Sequence, residues 1–243
     1  MIRASISPWH ESVFRPYIKY SMRRHFNAIH LLGSVPDFEQ RPMLLLPNHS
    51  TWWDGFFCYV LKWNLIPRPA YLMMLEEQLR KNKFFSHVGA FSIDPNSVKG
   101  QLYSLLYTVE LLSLPTNPFV CLFPQGELLP WAVRPLGYKR GLELIFKRLR
   151  NPIILCQLGI KCEYLQGQYA DVFFQFGSPQ TIQPQETVSA QRLEKKHETL
   201  LDQMNHTISS GDTGQMLLEG KSPINESYEA FWERFRLGSK KNP

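Results

Sequence analysis

The apolar run Met43-Leu44-Leu45-Leu46 stops at Pro47, and the same device recurs where Phe119-Val120-Cys121-Leu122-Phe123 meets Pro124. Short uninterrupted apolar runs suit strands buried on both faces, as in parallel sheets covered by helices on either side. The surrounding pattern agrees. Residues 52–63 read as a helix, 70–74 as a strand, 76–85 as a helix and 88–93 as a strand. Ser97 caps a further helix in which Val98, Leu102, Leu105, Leu106, Val109 and Leu112 recur at helical spacing before Pro115. Residues 137–149 and 187–209 predict two more helices, and 153–160 and 169–176 two more strands. The expectation is an α/β fold: a single domain with a largely parallel sheet flanked by helices.

A length of 243 residues suits one sizeable domain. Its expected core unit spans 36–210, with an N-terminal helical segment over 1–35 and a tail over 211–243 that carries a short helix at 228–235. Residues 8–32 read as one basic, aromatic helix containing Pro16. Arg3, Arg15, Lys19, Arg23 and Arg24 outnumber Glu11, with Trp9, Phe14, Tyr17, Tyr20 and Phe26 between them. Such a helix either lies in the headgroup plane of an anionic membrane or packs on the domain with its cations in water. No apolar run approaches the ~18 residues of a spanning helix. The best stretch, 102–123, is interrupted by Glu110, Pro115, Asn117 and Pro118. Cations also stand where a signal peptide needs its apolar core. A peripheral protein on the cytoplasmic face of a membrane is the expectation.

The formal net charge of +6 favours anionic partners. An RNA-binding strand motif and a clustered Lys/Arg run are both missing, which argues against nucleic acid. The four cysteines form no CxxC pair. Leu201 stands where His197-Glu198 would need a second His to make a zinc motif. No metal or bound organic cofactor is expected.

Chemistry points to His49 and Asp54. A strand that ends at Pro47 and feeds a helix puts the connecting residues at the carboxyl edge of the sheet, where α/β folds bind ligands. A neutral imidazole there can accept a proton from a substrate hydroxyl. A carboxylate five residues on can hold the tautomer and stabilise the imidazolium. The Pro124-Gln125-Gly126-Glu127 turn is a second candidate, because Gly126 admits close backbone approach and its N–H groups can hold an anionic oxygen. Gly89 to Asp94 is a third strand end.

Together these resemble the glycerolipid acyltransferase superfamily, which includes the 1-acylglycerol-3-phosphate acyltransferases. Its Asn-His-x4-Asp block is matched by Asn48, His49 and Asp54. Its Gly-x-[apolar]-x-Ile-Asp-Arg block is matched at Gly89, Phe91, Ile93 and Asp94, and its Phe-Pro-Glu-Gly block at Phe123, Pro124 and Gly126. Lys139 and Gly141 fit the Lys-x-Gly that follows in many members, and the likeness covers roughly 40–160. Pro95 replaces the Arg of the second block, Gln125 the Glu of the third and Leu155 the proline of a fourth. In the family that Arg and Glu are assigned to the phosphorylated acceptor.

The resemblance implies transfer of a fatty acyl group from an acyl thioester, acyl-CoA or acyl carrier protein, to a lipid hydroxyl. His49 would be the base and Asp54 its orienter. Asn48, Gly89, Asp94, Phe123, Pro124, Gln125, Gly126 and Glu127 would bind substrate. Lysophosphatidic acid or a related glycerolipid is the expected acceptor. The changes at Pro95 and Gln125 keep open a non-phosphate acceptor, such as a glycolipid or glycosylated isoprenoid. With Leu155 they also keep open a membrane-binding protein without catalysis. Arg134, Lys139 and Arg140 are candidates to restore the lost positive charge. A serine hydrolase is disfavoured, since no Gly-x-Ser-x-Gly elbow is present.

Overall fold

Alternation along the second strand sets the architecture. Met43 and Leu45 pack into one apolar cluster and Leu44 and Leu46 into another, and all four are fully buried. A strand with two buried faces needs helices on both, and each such leucine contributes about 2 kcal/mol by leaving water. The structure, a computed structural model, describes residues 1–221; the expected helix over 228–235 lies outside them.

In chain order the elements are α1 (Pro8–His25), β1 (Ala28–Leu32), β2 (Met43–Pro47), α2 (Asp54–Asn64), β3 (Ala70–Leu75), α3 (Glu76–Lys81), a 3-10 turn (Lys83–Val88), β4 (Ala90–Ile93) and α4 (Val98–Leu111). There follow β5 (Phe119–Cys121), α5 (Gly141–Arg148), β6 (Ile153–Glu163), β7 (Asp171–Phe176), β8 (Gln180–Ile182), α6 (Ala190–Ser209) and β9 (Gln215–Glu219). Nine strands form one sheet in the order β4-β3-β5-β2-β6-β7-β1-β9, with β8 paired to β6. The first five in that order run parallel. β7 is antiparallel to β6, β1 is parallel to β7, and β9 is antiparallel to β1. The expected α/β, largely parallel architecture is borne out. α1 and α2 pack on one face through Phe14, Ile18, Met22 and Phe57. α4, α5 and α6 cover the other through Leu111, Phe146, Leu193 and Met204.

Three expectations need correction. The helix read over 8–32 ends at His25, and Ala28–Leu32 is a buried strand. A short apolar run does not by itself separate strand from helix, and here its partners are β7 and β9, far along the chain. The helix read over 137–149 begins only at Gly141. The helix read over 76–85 gives way after Lys81 to the 3-10 turn, which ends on Gly89. Gly89 has φ +108, and a Cβ there would lie 2.1 Å from the Ala70 carbonyl oxygen. Its glycine is demanded by close approach to β3, not by a ligand.

α1 packs on the domain by one face and leaves the other exposed. Phe14, Ile18 and Met22 are buried against the domain, and Glu11 pairs with Lys62 of α2. Trp9, Val13, Tyr17 and Tyr20 stay exposed on the other face beside Arg15, Lys19, Arg23 and Arg24. Among the described residues no helix is long and apolar enough to cross a membrane.

Candidate active site

The parallel strands β2, β3, β4 and β5 all end at one edge of the sheet, and β2 delivers Asn48 and His49 there. Asn48 is buried. Its side-chain N–H donates to the Ile160 carbonyl at 2.9 Å, and its amide oxygen accepts from the Ile160 N–H at 2.7 Å. This two-way bond ties the strand end to β6, so the side chain expected to bind substrate instead fixes the residue that follows. The His49 N–H donates to Oε1 of the buried Gln125 at 2.6 Å, and its carbonyl accepts from the Leu129 N–H at 3.0 Å. The imidazole stacks on Phe123 with ring centroids 4.1 Å apart. Backbone and ring are therefore both held by the stretch that follows β5.

Asp54 opens α2, where a negative charge suits the helix N-terminus. It has no exposed surface. Its Oδ2 accepts from His49 Nδ1 at 2.9 Å, from the Ser50 N–H at 2.7 Å and from the Thr51 N–H at 2.9 Å. Its Oδ1 accepts from the Thr51 hydroxyl at 2.6 Å. These four donors compensate a buried carboxylate. They also fold the loop back, so that the spacing of five residues becomes a direct contact. With Nδ1–H committed to Asp54, the free lone pair sits on Nε2. The side chain of His49 keeps 22% of its surface exposed, and it lines a cavity.

That cavity has a volume of about 750 Å³ and runs between α2, β3, α4 and the β5 exit. Phe56, Tyr59, Leu72, Met74, Phe85, Ile93 and Leu105 make its walls apolar. Phe123, Pro124 and Gly126 border it together with His49. Pro95 also lines it, so the position where the resembled family carries Arg faces this space without a charge. The chamber is thus apolar along most of its walls, with the His49 imidazole among the lining groups.

The other expected substrate residues lie outside the lining. Asp94 accepts from the Asn96 N–H and shapes the turn into α4. Gln125 holds the backbone of His49, and exposed Glu127 pairs with Lys139 at 2.9 Å. The Gly126 N–H closes its own turn onto the Phe123 carbonyl at 3.0 Å and is not available to an oxyanion.

Sequence spacing did not reveal how the long stretch after β5 is held. Glu198 accepts from the Leu136 N–H, and Glu194 accepts from the Gly137 and Tyr138 N–H groups. The Tyr138 hydroxyl contacts His197 Nδ1 at 2.6 Å. Because His197 Nε2 must donate to the Leu158 carbonyl at 3.0 Å, Nδ1 is the acceptor and Tyr138 the donor. Burial pushes the His197 pKa down to about 4, which fixes it neutral. Of the three candidate cations, Lys139 and Arg140 line the cavity, whereas Arg134 turns to Asp202 and the Trp131 carbonyl. Only the charged face of α6, with Glu194 and Glu198 four apart, could have hinted at this clamp.

A model of the acyltransferase family matches residues 23–154. No curated protein matches the sequence. Among solved structures, the fold is similar to that of the 1-acyl-sn-glycerophosphate (LPA) acyltransferase PlsC from Thermotoga maritima. The TM-score is 0.55 at 16% identity, over 82% of this chain and 81% of that one. At that identity the likeness speaks for the fold, while the family model spans more than half of the 243 residues. The chain is an acyl-transferring enzyme and belongs to the acyltransferase family.

Proposed function

We propose that this enzyme moves a fatty acyl group from an acyl thioester, carried by coenzyme A or an acyl carrier protein, to a hydroxyl of a lysophosphatidic acid-like glycerolipid. One observation carries the reading: His49, with Nδ1 fixed by Asp54, turns its other nitrogen to a chain-sized apolar cavity. Nε2 takes the proton of the acceptor hydroxyl as its oxygen attacks the thioester carbonyl. Asp54 holds the ring and stabilises the imidazolium. The tetrahedral intermediate collapses by breaking the carbon–sulfur bond, and the proton on Nε2 goes to the leaving thiolate. A thioester is reactive enough that no enzyme nucleophile is needed. The site then works at a membrane surface, with the exposed aromatic and basic face of α1 against anionic headgroups.

The test is acyl transfer by His49→Ala, with folding checked by circular dichroism. The reading expects turnover close to background; turnover near that of the wild type removes His49 from the role. A second reading keeps the chemistry and replaces the acceptor by one without phosphate. Pro95 on the cavity wall favours it. Equal or better use of lysophosphatidic acid than of glycolipid acceptors would end it.

A further inference from the structure

We propose that Arg140, supported by Lys139, is the anion-binding element of this site and takes a phosphate group of a substrate. The proposal rests on the reading of His49 and Asp54 as the catalytic pair. The only Lys, Arg, Asp or Glu side chains among the described residues lining the cavity are Lys139 and Arg140. They are not equivalent. Lys139 is paired with Glu127, which cancels much of its charge, whereas Arg140 forms no ion pair among the described residues. A planar guanidinium with several donors also matches phosphate oxygens two at a time, which an ammonium cannot.

Place and rigidity add to this. Arg140 immediately precedes Gly141, where α5 begins, and its own carbonyl accepts from the Glu143 N–H at 3.0 Å, which fixes its backbone at the helix start. A Cβ on Gly141 would lie 3.2 Å from the Leu105 side chain, which puts the start of α5 against α4, the helix that follows Pro95. The cation thus lines the same cavity as the uncharged Pro95. The stretch that presents it is fixed. Glu194 and Glu198 hold residues 136–138. The Tyr138 hydroxyl is anchored on His197, and the Lys139 N–H donates to the Pro124 carbonyl at 2.8 Å. A backbone already pinned spares the loop-ordering part of the binding cost, leaving only the side chain of Arg140 to be ordered.

The phosphate can come from either substrate: the acceptor's phosphomonoester or the phosphates of coenzyme A. Kinetics on Arg140→Gln separates the two. In the acceptor arm, lysophosphatidic acid is compared with monoacylglycerol; in the donor arm, acyl-CoA is compared with acyl-pantetheine. The preference in kcat/KM for the phosphate-bearing partner is expected to fall about tenfold or more in one arm. Lys139→Gln should lower the same preference by about threefold, its charge being shared with Glu127. Lys147→Gln, on α5 but outside the cavity, should leave both preferences unchanged. Titration calorimetry with glycerol 3-phosphate and with coenzyme A reads the same site without turnover, and Arg140→Gln should weaken one of the two about tenfold. Unaltered preferences in both arms, or unaltered binding of both ligands, overturns the assignment. Absence of acyl transfer by the wild type defeats the catalytic reading instead and leaves the calorimetric result to judge Arg140.

Discussion

Two histidine–aspartate pairs of the same length sit in this molecule, and they do different things. His49 Nδ1 meets Asp54 at 2.9 Å, and His30 Nε2 meets Asp171 at 2.9 Å. The first pair is local, five residues apart on the loop after β2, and its ring opens onto the cavity. The second joins β1 to β7, is shared with the Asn27 side chain, and lies stacked on Phe173. Its remaining nitrogen, Nδ1, is buried without a partner among the described residues. Equal bond lengths therefore say little about role. A carboxylate readies an imidazole for proton transfer only when the opposite nitrogen has room for a substrate. Enclosed in a sheet, the same bond fastens two strands.

The sharpest way to break this comparison is to remove each base. His49→Ala should lower kcat/KM by about 10³-fold or more, in line with the loss of a general base and the positioning it provides. Asp54→Asn should cost about as much while the fold persists. The amide can keep its oxygen toward His49, Ser50 and Thr51, and the Thr51 hydroxyl can rotate to accept from the new amine, but the imidazolium loses its counter-charge. Steady-state kinetics on both variants checks this. A loss below tenfold in either would put proton transfer elsewhere.

The buried pair should respond in stability. His30→Ala leaves Asp171 with Asn27 as its remaining side-chain partner in a buried setting, and about 3–5 kcal/mol of unfolding free energy should disappear. Turnover per folded molecule should stay at the wild-type level. Urea denaturation and kinetics on one preparation separate the two readouts, and a turnover defect without a stability defect would reverse the roles assigned above.

His197 sharpens the contrast as a third case, with both ring nitrogens satisfied. Burial is the main cause of its depressed pKa; the nearby Arg134 pushes the same way and the Leu158 carbonyl opposes. The unfolded chain, with an ordinary histidine near 6.5, therefore binds a proton more readily than the folded one. Stability from this group is complete above pH 6.5 and is lost as the pH falls toward about 4. The loss amounts to about 3 kcal/mol. The stability gap between wild type and His197→Gln should accordingly be wide at pH 7 and narrow steadily by pH 4.5. A constant gap would mean that the ring is not kept neutral by burial.

What could be read from the sequence follows the same division between local and distant. His49 and Asp54 were legible because one loop makes their contact, and β2 and β5 because buried parallel strands are continuous apolar runs ended by proline. β1 was misread as the end of a helix, since its buried run is short and its partners β7 and β9 lie more than 140 residues away. The position of Asn48 and Gln125 outside the cavity lining was hidden for a related reason. Both are polar residues beside His49 in sequence or space, yet each satisfies backbone groups brought in by folding, Ile160 in one case and His49 in the other. Arg140 lines the cavity at the end of the stretch that α6 clamps, and no spacing in the sequence links residues 136–138 to 194–198.

That clamp gives the smallest effect and the finest test of whether holding and reacting are separate jobs. Tyr138→Phe deletes a buried hydroxyl that donates to His197 Nδ1 and leaves that nitrogen unpaired. The cost should be about 1–2 kcal/mol of stability, the range for a buried polar atom deprived of its partner. Activity should fall less than about threefold, because the Glu194 and Glu198 hydrogen bonds and the Lys139–Pro124 bond still hold the segment. If instead the phosphate preference collapses as in Arg140→Gln while stability barely moves, the hydroxyl is setting the position of the guanidinium. The Tyr138–His197 contact would then belong with His49–Asp54, among the bonds that serve the reaction, and not with His30–Asp171, among those that serve the sheet.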